Sequence, residues 1–521
     1  MRIAYVNNRL LWSFVHSVFL LTCVQPTLLH GQTDANRERG ERGQNSGSRL
    51  GNYEKPPPAN DIPAHLYDIV LGRPTDTSIE IRILHNSDGQ GFIRFRADGK
   101  QEWLQSDSIE FSNGKPFAIL LENLAPNTRY FYCWVYTGAN KKNETVSDEY
   151  SFHTSRSPGS SFAFSVTADS HLDENSSGAV YSRTLQNALA DRPDFHLELG
   201  DTFMTGKYVR PELSYPQYLA QRYYLSQLCH SAPLYFVVGN HDGESAGRGS
   251  ITWASTTRKS LFANPAPNHF YSGNRQKEPD VGHPENYYAW MWADSQFIVL
   301  DPYRYTISKR RGGRGSREAQ NGQYNVAERA PGASASSSVP ASWYWTLGEE
   351  QYQWLKQELS KPAKYRFVFI HHLVGGTVQN QRGGVEVANL WEWGGKSLDG
   401  TYEFDTYRQG WGKPIHQMLA DAKVSVVFHG HDHFFAKQEL DGVVYQEVPQ
   451  PSHARVGNTR NAAEYGYLMG DFQPSSGYIR VRVEADAVRV DYVRTYVDKQ
   501  NANRNGEVSY SYVVSPRSSQ P

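Results

Sequence analysis

Cysteine is scarce, with three in 521 residues. Three thiols cannot staple a chain of this length, so the core has to come from apolar burial. Charge of one sign is also missing. The 53 basic and 54 acidic side chains leave a net charge of −1, which gives no electrostatic footprint for nucleic acid as a stable partner. Long apolar runs are nearly absent. The one candidate, Leu10 to Val24, is broken by Ser13, His16, Ser17 and Thr22 and falls short of the roughly 20 apolar residues a membrane span needs. Arg2 and Arg9 stand around its start, so residues 1–31 read as an export signal cleaved near Gly31. An uncleaved anchor is the other reading. Cleavage would give a secreted or periplasmic protein with no membrane contact. No Walker-type glycine loop and no Gly-x-Ser-x-Gly elbow occurs, which removes the usual nucleotide-loop and serine-hydrolase signals. With 43 Gly, 27 Pro and 13% aromatics, the composition is neither collagen-like nor wholly disordered.

The length suits two to four domains at about 100–200 residues each. Residues 32–58 are polar, charged and Gly-rich, which predicts a disordered linker. A disordered tail is predicted over 498–521. From 59 to 156 the pattern is all-β, with short apolar or alternating runs at 66–71, 79–84, 92–96, 108–111, 117–121, 129–136 and 149–153. Ile79, Ile81 and Ile83 show the period of two expected of a half-buried strand. Seven short strands predict a sandwich. Leu124-Ala-Pro-Asn-Thr-Arg-Tyr130 resembles the corner segment of fibronectin type III domains, where a Tyr ties back to nearby backbone.

From 160 to 497 apolar β-runs alternate with helical stretches, predicting an α/β layered domain. The runs are Phe162–Val166, Phe195–Leu199, Leu234–Val238, Phe297–Leu300, Phe367–Ile370 and Val424–Phe428; helices are predicted at 178–191, 212–229, 348–359 and 414–422. Two alternating strands, Tyr478–Val483 and Ala487–Val493, close the domain. Residues 308–342 are Gly-, Ser-, Ala- and Arg-rich and predict a mobile surface loop. Residues 373–412 carry Trp391, Trp393, Tyr402 and Trp411, which either pack on their own neighbours or line a substrate cleft. Cys133 and Cys229 sit in apolar runs of different domains and are expected to be buried free thiols.

Chemistry gathers where the β-runs end. Asp169-Ser-His171 follows the first, Gly200-Asp201 the second, and Gly239-Asn240-His241-Asp242 the third. His371-His372 follows Phe367–Ile370, and His429-Gly430-His431-Asp432-His433 overlaps the end of Val424–Phe428. In open α/β sheets ligands bind beyond the carboxyl ends of strands. Five strand ends therefore aim oxygen and nitrogen donors at one rim, the donor set of transition-metal sites. Each piece alone is weak, since a strand-end His is more often structural and a Gly-Asp is usually a turn. The ordered set of five is specific. His429 and His196 read as hydrogen-bonded structural residues, and His453 as a rim residue.

This order resembles the calcineurin-like metallophosphoesterase superfamily, and the preceding sandwich resembles the N-terminal domain of purple acid phosphatase-like and alkaline phosphatase D-like members. The fold so implied is α/β: a layered β-sandwich metallophosphoesterase domain flanked by helices, preceded by an all-β fibronectin type III-like sandwich. Carried over residue by residue, the resemblance implies Asp169, His171, Asp201 and His433 on one metal. Asp201 would bridge to a second metal held also by Asn240, His371 and His431. His241 would assist at the transition state or leaving group. Apart from the resemblance, Asp242, next in sequence, is read with it in the catalytic set as an orienting residue. Of the adjacent His371 and His372 only one is expected to bind metal; His371 is favoured, with His372 facing the substrate or standing behind the ligands. The cofactors implied are two divalent or mixed-valence ions (Fe, Mn or Zn). One position departs from the purple acid phosphatases: the metal-binding Tyr three residues after the Gly-Asp aspartate is Met204 here, so no tyrosinate ligand or purple colour is expected. Tyr208 is displaced by four positions and is a poor substitute.

The function implied is dinuclear metal-dependent hydrolysis of a phosphorylated small molecule, as a phosphomonoesterase using a metal-activated hydroxide. A phosphodiesterase or nucleotide hydrolase of the same superfamily is the alternative. A secreted binding protein with a relict metal site is a third reading; it predicts decay of the motif, whereas all eight family positions carry competent residues. Arg382 and the arginines of 308–317 are candidates for holding a dianionic substrate.

Overall fold

The computed structural model describes residues 53–139, 143–246, 249–306, 323–324, 339–374, 382–455 and 457–516. The export signal, residues 32–52 of the linker and nearly all of the 308–342 loop lie outside them.

Two sheets face each other across an aromatic core. In the nine-stranded sheet, Phe162–Thr167, Phe195–Glu198 and Leu234–Phe236 run parallel. In the eight-stranded sheet, Ser295–Val299, Tyr365–Phe369, Val426–His429 and Val443–Glu447 run parallel. Strands covered on both faces read as continuous apolar runs, which is why these segments were visible in the sequence. Phe164 meets Phe367 edge-on with ring centroids 5.4 Å apart, and Phe369 stacks on Phe428 at 5.2 Å. Such pairs add about 0.5–1.5 kcal/mol each beyond the area they bury.

Helices cover the outer faces. Gly178–Ala190 and Tyr215–Cys229 pack on the first sheet, around Leu185, Tyr218 and Leu225. Glu349–Leu359 and Ile415–Asp421 pack on the second, around Tyr352, Leu355 and Leu419. The layering is thus helix, sheet, sheet, helix. Trp391, Trp393 and Trp411 are buried in the helix-side cluster, so these tryptophans pack on their neighbours; Tyr402 is half exposed. Cys133 and Cys229 are buried and free.

The N-terminal strands form a second sandwich. Tyr67–Gly72, Ile79–His85 and Pro116–Leu121 pair antiparallel and face a sheet built on Gly89–Ala97 and Arg129–Gly138. Ile79, Ile81 and Ile83 enter the core between them with Tyr132 and Trp134. The Ala125 N–H donates to the Tyr130 hydroxyl at 2.7 Å, the backbone tie expected of that Tyr. The first of these sheets is continuous with the nine-stranded sheet, through Gly72 opposite Leu234. The sequence divided the chain at this point, but the hydrogen-bonded sheet runs across it.

Two expectations are corrected. The tail predicted to be disordered over 498–521 contains the strand Val508–Val514, which pairs with Val488–Arg494 at the sheet edge. Tyr510, Tyr512 and Val514 alternate onto the aromatic core, a period-two signal obscured by its polar flanks. The end of the predicted 32–58 linker is also docked. Tyr53 donates its N–H to the Lys207 carbonyl at 3.0 Å and its hydroxyl to Glu174 at 2.5 Å. The helix Ile251–Leu261 was not predicted, because its buried face includes Ser255, Thr257 and Arg258 rather than a clean apolar stripe.

Candidate metal centre

The sandwich delivers five loops to one edge because parallel strands in both sheets end on the same side. Tight approach of these loops demands small residues. A Cβ on Gly239 would collide with the Asp201 backbone nitrogen and stand 2.5 Å from its Oδ1; one on Gly430 would stand 2.7 Å from Asp169 Oδ2. Both predicted glycines are therefore steric necessities. We expect Gly239→Ala to lower stability by about 1–3 kcal/mol through overpacking and to reduce metal content, checked by thermal unfolding and elemental analysis. Unchanged values for both would contradict this packing.

The backbone at the site is held in an uncommon region. Asp169, His171, Asp201, His431 and His433 all have φ between +51° and +88°. Non-glycine residues pay for such conformations, and they concentrate where surrounding structure fixes a functional geometry.

The donor atoms converge. His433 Nε2 lies 3.4 Å and His171 Nε2 3.6 Å from Asp169 Oδ1. Asp201 Oδ2 lies 3.7 Å from His171 Nε2, 3.6 Å from His371 Nε2 and 3.9 Å from His241 Nε2. These separations exceed hydrogen-bonding distance. They approach the spacing of two ligands on one ion, about 3.4 Å for tetrahedral bonds near 2.1 Å. The donors form two groups capable of holding a metal, Asp169–His171–His433 and Asp201–His371–His431. Asp201 reaches toward both.

The opposite ends of these side chains are already committed. His371 Nδ1 is 2.8 Å from the Leu199 carbonyl and His171 Nδ1 is 2.9 Å from Asp173 Oδ2. These contacts place the proton on Nδ1 and leave Nε2 as the donor, the arrangement that orients metal-binding imidazoles. The His431 N–H donates to Asp169 Oδ2 and the His241 N–H to Asp201 Oδ1, each at 2.7 Å. What is left over is telling: Asp169 Oδ1, His171 Nε2, His371 Nε2 and Asn240 Oδ1 are buried without a hydrogen-bond partner among the described residues. Buried polar atoms are normally satisfied, and these four belong to the residue types that bind divalent ions. The donor set fits a metal pair.

Electrostatics agree. Burial pushes the Asp169 and Asp201 carboxyls up, yet the neighbouring imidazoles, His371 foremost, overcome it and hold both below the usual carboxylate range. The carboxylates are anions that call for cationic partners. For His171 burial works against protonation, but contacts with Asp169, Asp173 and Asp201 raise its pKa well above normal, so a metal binding there would have to displace a proton from Nε2.

Three further residues of the sequence reading stand away from the donor atoms. Asp242 is fully buried and accepts backbone N–H groups from Gly239, Asp201, Thr202 and Phe203 at 2.7–3.0 Å. Its carboxylate staples the Gly-Asp loop to the Gly-Asn-His loop, so it positions Asp201 and does not face a substrate. His372 takes the second of its two readings, behind the ligands: it is 2% exposed, contacts the Arg382 carbonyl and stacks on His431 with centroids 4.1 Å apart. His371 Nε2 faces Asp201 at 3.6 Å, so it is His371 that enters the centre. Arg382 is committed to Asp432, with Nε 2.6 Å from Oδ1. By contrast the His241 and His433 side chains are each about one third exposed, at 34%, at the mouth.

The structural readings hold for the remaining imidazoles. His196 is bonded to Ser165 and Thr167, and His429 contacts Glu447. Met204 is fully buried, and the Tyr208 hydroxyl donates to Gln217 at 3.0 Å, so neither stands in for a tyrosinate. Sequence reasoning missed Asp173, although an acid two residues after a candidate His ligand was a readable signal.

The comparisons match this geometry. The calcineurin-like phosphoesterase family model covers residues 162–435, just over half of the chain, and the protein belongs to that family. It is a metallophosphoesterase, an enzyme of phosphoric ester hydrolysis. No curated protein matches the chain. Among solved structures, purple acid phosphatase PPD1 from yellow lupin (Lupinus luteus) seeds is 13% identical with a TM-score of 0.52, over 86% of this chain and 74% of that one. PhoD is 13% identical with a TM-score of 0.54, over 89% of this chain and 90% of that one. At such identity these likenesses speak for the shared fold. Among the described residues no helix is long and apolar enough to cross a membrane.

Proposed function

We propose that the protein is a dinuclear metal-dependent phosphomonoesterase acting on phosphorylated small molecules. The single observation that carries the reading is the cluster of buried, unpartnered donor atoms in two groups joined at Asp201. Asp169, His171, Asp201 and His433 would hold one ion; Asp201, Asn240, His371 and His431 would hold the other. When bound, such a pair supplies Lewis acidity toward phosphoryl oxygens and activates water near neutral pH. The ions would be Fe, Mn or Zn in a divalent or mixed-valence pair.

The chain's own contribution is placement. Asp173 and the Leu199 carbonyl fix the tautomers of His171 and His371. Asp242 fixes the loop that carries Asp201. His241, exposed at the mouth with its backbone N–H held by Asp201, stabilises charge on the transferring phosphoryl group or protonates the leaving oxygen, a role worth about 10²–10⁴ in rate. The sandwich of 59–156 is read as fibronectin type III-like, supported by the Tyr130 tie, with the catalytic domain over 160–497. Export to a secreted or periplasmic location rests on the sequence of residues 1–31.

Purified full-length protein, assayed for metal content and for p-nitrophenyl phosphate against bis-p-nitrophenyl phosphate, tests the reading. Near two metals per chain with faster monoester turnover is expected. Faster diester turnover would replace phosphomonoesterase by phosphodiesterase. Full metal content with neither ester cleaved would end the phosphoric ester reading of this site.

A further inference from the structure

We propose that the Tyr303 hydroxyl is a substrate-contacting group of this centre, donating a hydrogen bond to a phosphoryl oxygen held at the metal pair. The inference rests on the phosphoric ester reading above and names one more group in that site.

Tyr303 lies just beyond the carboxyl end of Ser295–Val299. That strand is the parallel neighbour of Tyr365–Phe369, the strand that delivers His371. The Tyr303 ring centroid is 6.1 Å from that of His371, and Trp345 packs edge-on against its ring at 5.7 Å. The backbone is anchored on both sides. The Tyr303 N–H donates to Asp301 Oδ1 at 2.7 Å, and its carbonyl accepts from Ala246 and Thr306 at 3.2 Å each. The residue is 2% exposed, so the ring is held rather than free to swing.

The hydroxyl nevertheless has no hydrogen-bond partner among the described residues. A buried hydroxyl is costly to leave unpaired, and Tyr buried in proteins usually finds a partner. Tyr181 and Tyr365 also have unpartnered hydroxyls. Tyr365 opens the strand Tyr365–Phe369, at the opposite end from His371, and Tyr181 lies on the helix Gly178–Ala190, packed in the cluster with Leu185 and Tyr218. Tyr303 is the one of the three whose ring contacts a residue of the donor cluster, His371. A neutral O–H in that position is a donor, and the acceptor its surroundings lack is an anionic oxygen entering with substrate. Such charge-assisted bonds are stronger than neutral ones.

The test uses full-length, metal-loaded protein and inorganic phosphate as the probe, with binding followed by calorimetry. Tyr303→Phe keeps the ring and its packing. It should keep two metals and the wild-type melting temperature but weaken phosphate binding about 10-fold, as for loss of one charge-assisted bond. Tyr365→Phe, which also removes an unpartnered hydroxyl, should leave phosphate affinity unchanged. Equal affinity in Tyr303→Phe and wild type would overturn the inference while leaving the hydrolase reading intact. Loss of a metal in Tyr303→Phe would overturn it in favour of direct ligation. Wild-type protein that holds both metals yet binds no phosphate would overturn both.

Discussion

Asp201→Ala should lose both metals together. Its Oδ2 faces His171 on one side and His371 on the other at 3.7 and 3.6 Å, so removing it would take away the proposed bridge between the two donor groups. It also removes the acceptor of the His241 N–H, which loosens the loop carrying Asn240. Activity should fall on the order of 10³-fold or more, because metal assistance supplies several kcal/mol of transition-state stabilisation. Elemental analysis and turnover measured on the same sample check the result. A variant that retains one full equivalent of metal would show that Asp201 does not bridge.

His241→Ala should separate metal binding from chemistry. The side chain is at the mouth, and its backbone N–H, which holds Asp201, is unaffected by truncation at Cβ. Metal content should stay near wild type while kcat drops about 10²–10⁴-fold, the usual span for loss of a general acid or charge-stabilising group. The loss should be smaller for substrates with good leaving groups if the imidazole protonates the leaving oxygen. Metal loss equal to that of Asp201→Ala would make His241 a ligand and remove it from the catalytic role.

The fold was legible where burial left a simple periodicity. Phe162–Thr167, Phe195–Glu198 and Tyr365–Phe369 are buried along nearly their whole length and rich in Phe, so they stand out as β-runs although Ser165, His196, Glu198 and Arg366 interrupt them. Ile79–His85 is recognisable because alternate residues enter the sandwich core. Where burial is achieved with polar side chains, the signal fails. The helix Ile251–Leu261 buries Arg258 against Glu244 at 2.6 Å, and no hydrophobic pattern announces an ion pair. Val508–Val514 was lost for a related reason, since an edge strand shows its period two on one face only and sits among polar neighbours.

The candidate site divides the same way. The identities and spacing of Asp169, His171, Asp201, Asn240, His371, His431 and His433 were readable from the chain, because metal chemistry restricts donors to few residue types. So were the glycines beside them. Direction was not readable. His371 and His372 are neighbours of equal chemistry, and only the path of the bend beyond Phe369 decides that one faces Asp201 while the other stacks on His431. Asp242 next to His241 looked catalytic until four backbone N–H groups from two loops were found on its carboxylate.

The sequence by itself determined the donor chemistry, the order of the strands that carry it and the layered class of the fold, since these follow from residue type and from burial period along one chain. Only the tertiary structure decided which side chains converge, which serve as struts, and that Tyr303 belongs beside them. Convergence is a property of two facing sheets whose loops are far apart in sequence and meet only after the core has packed.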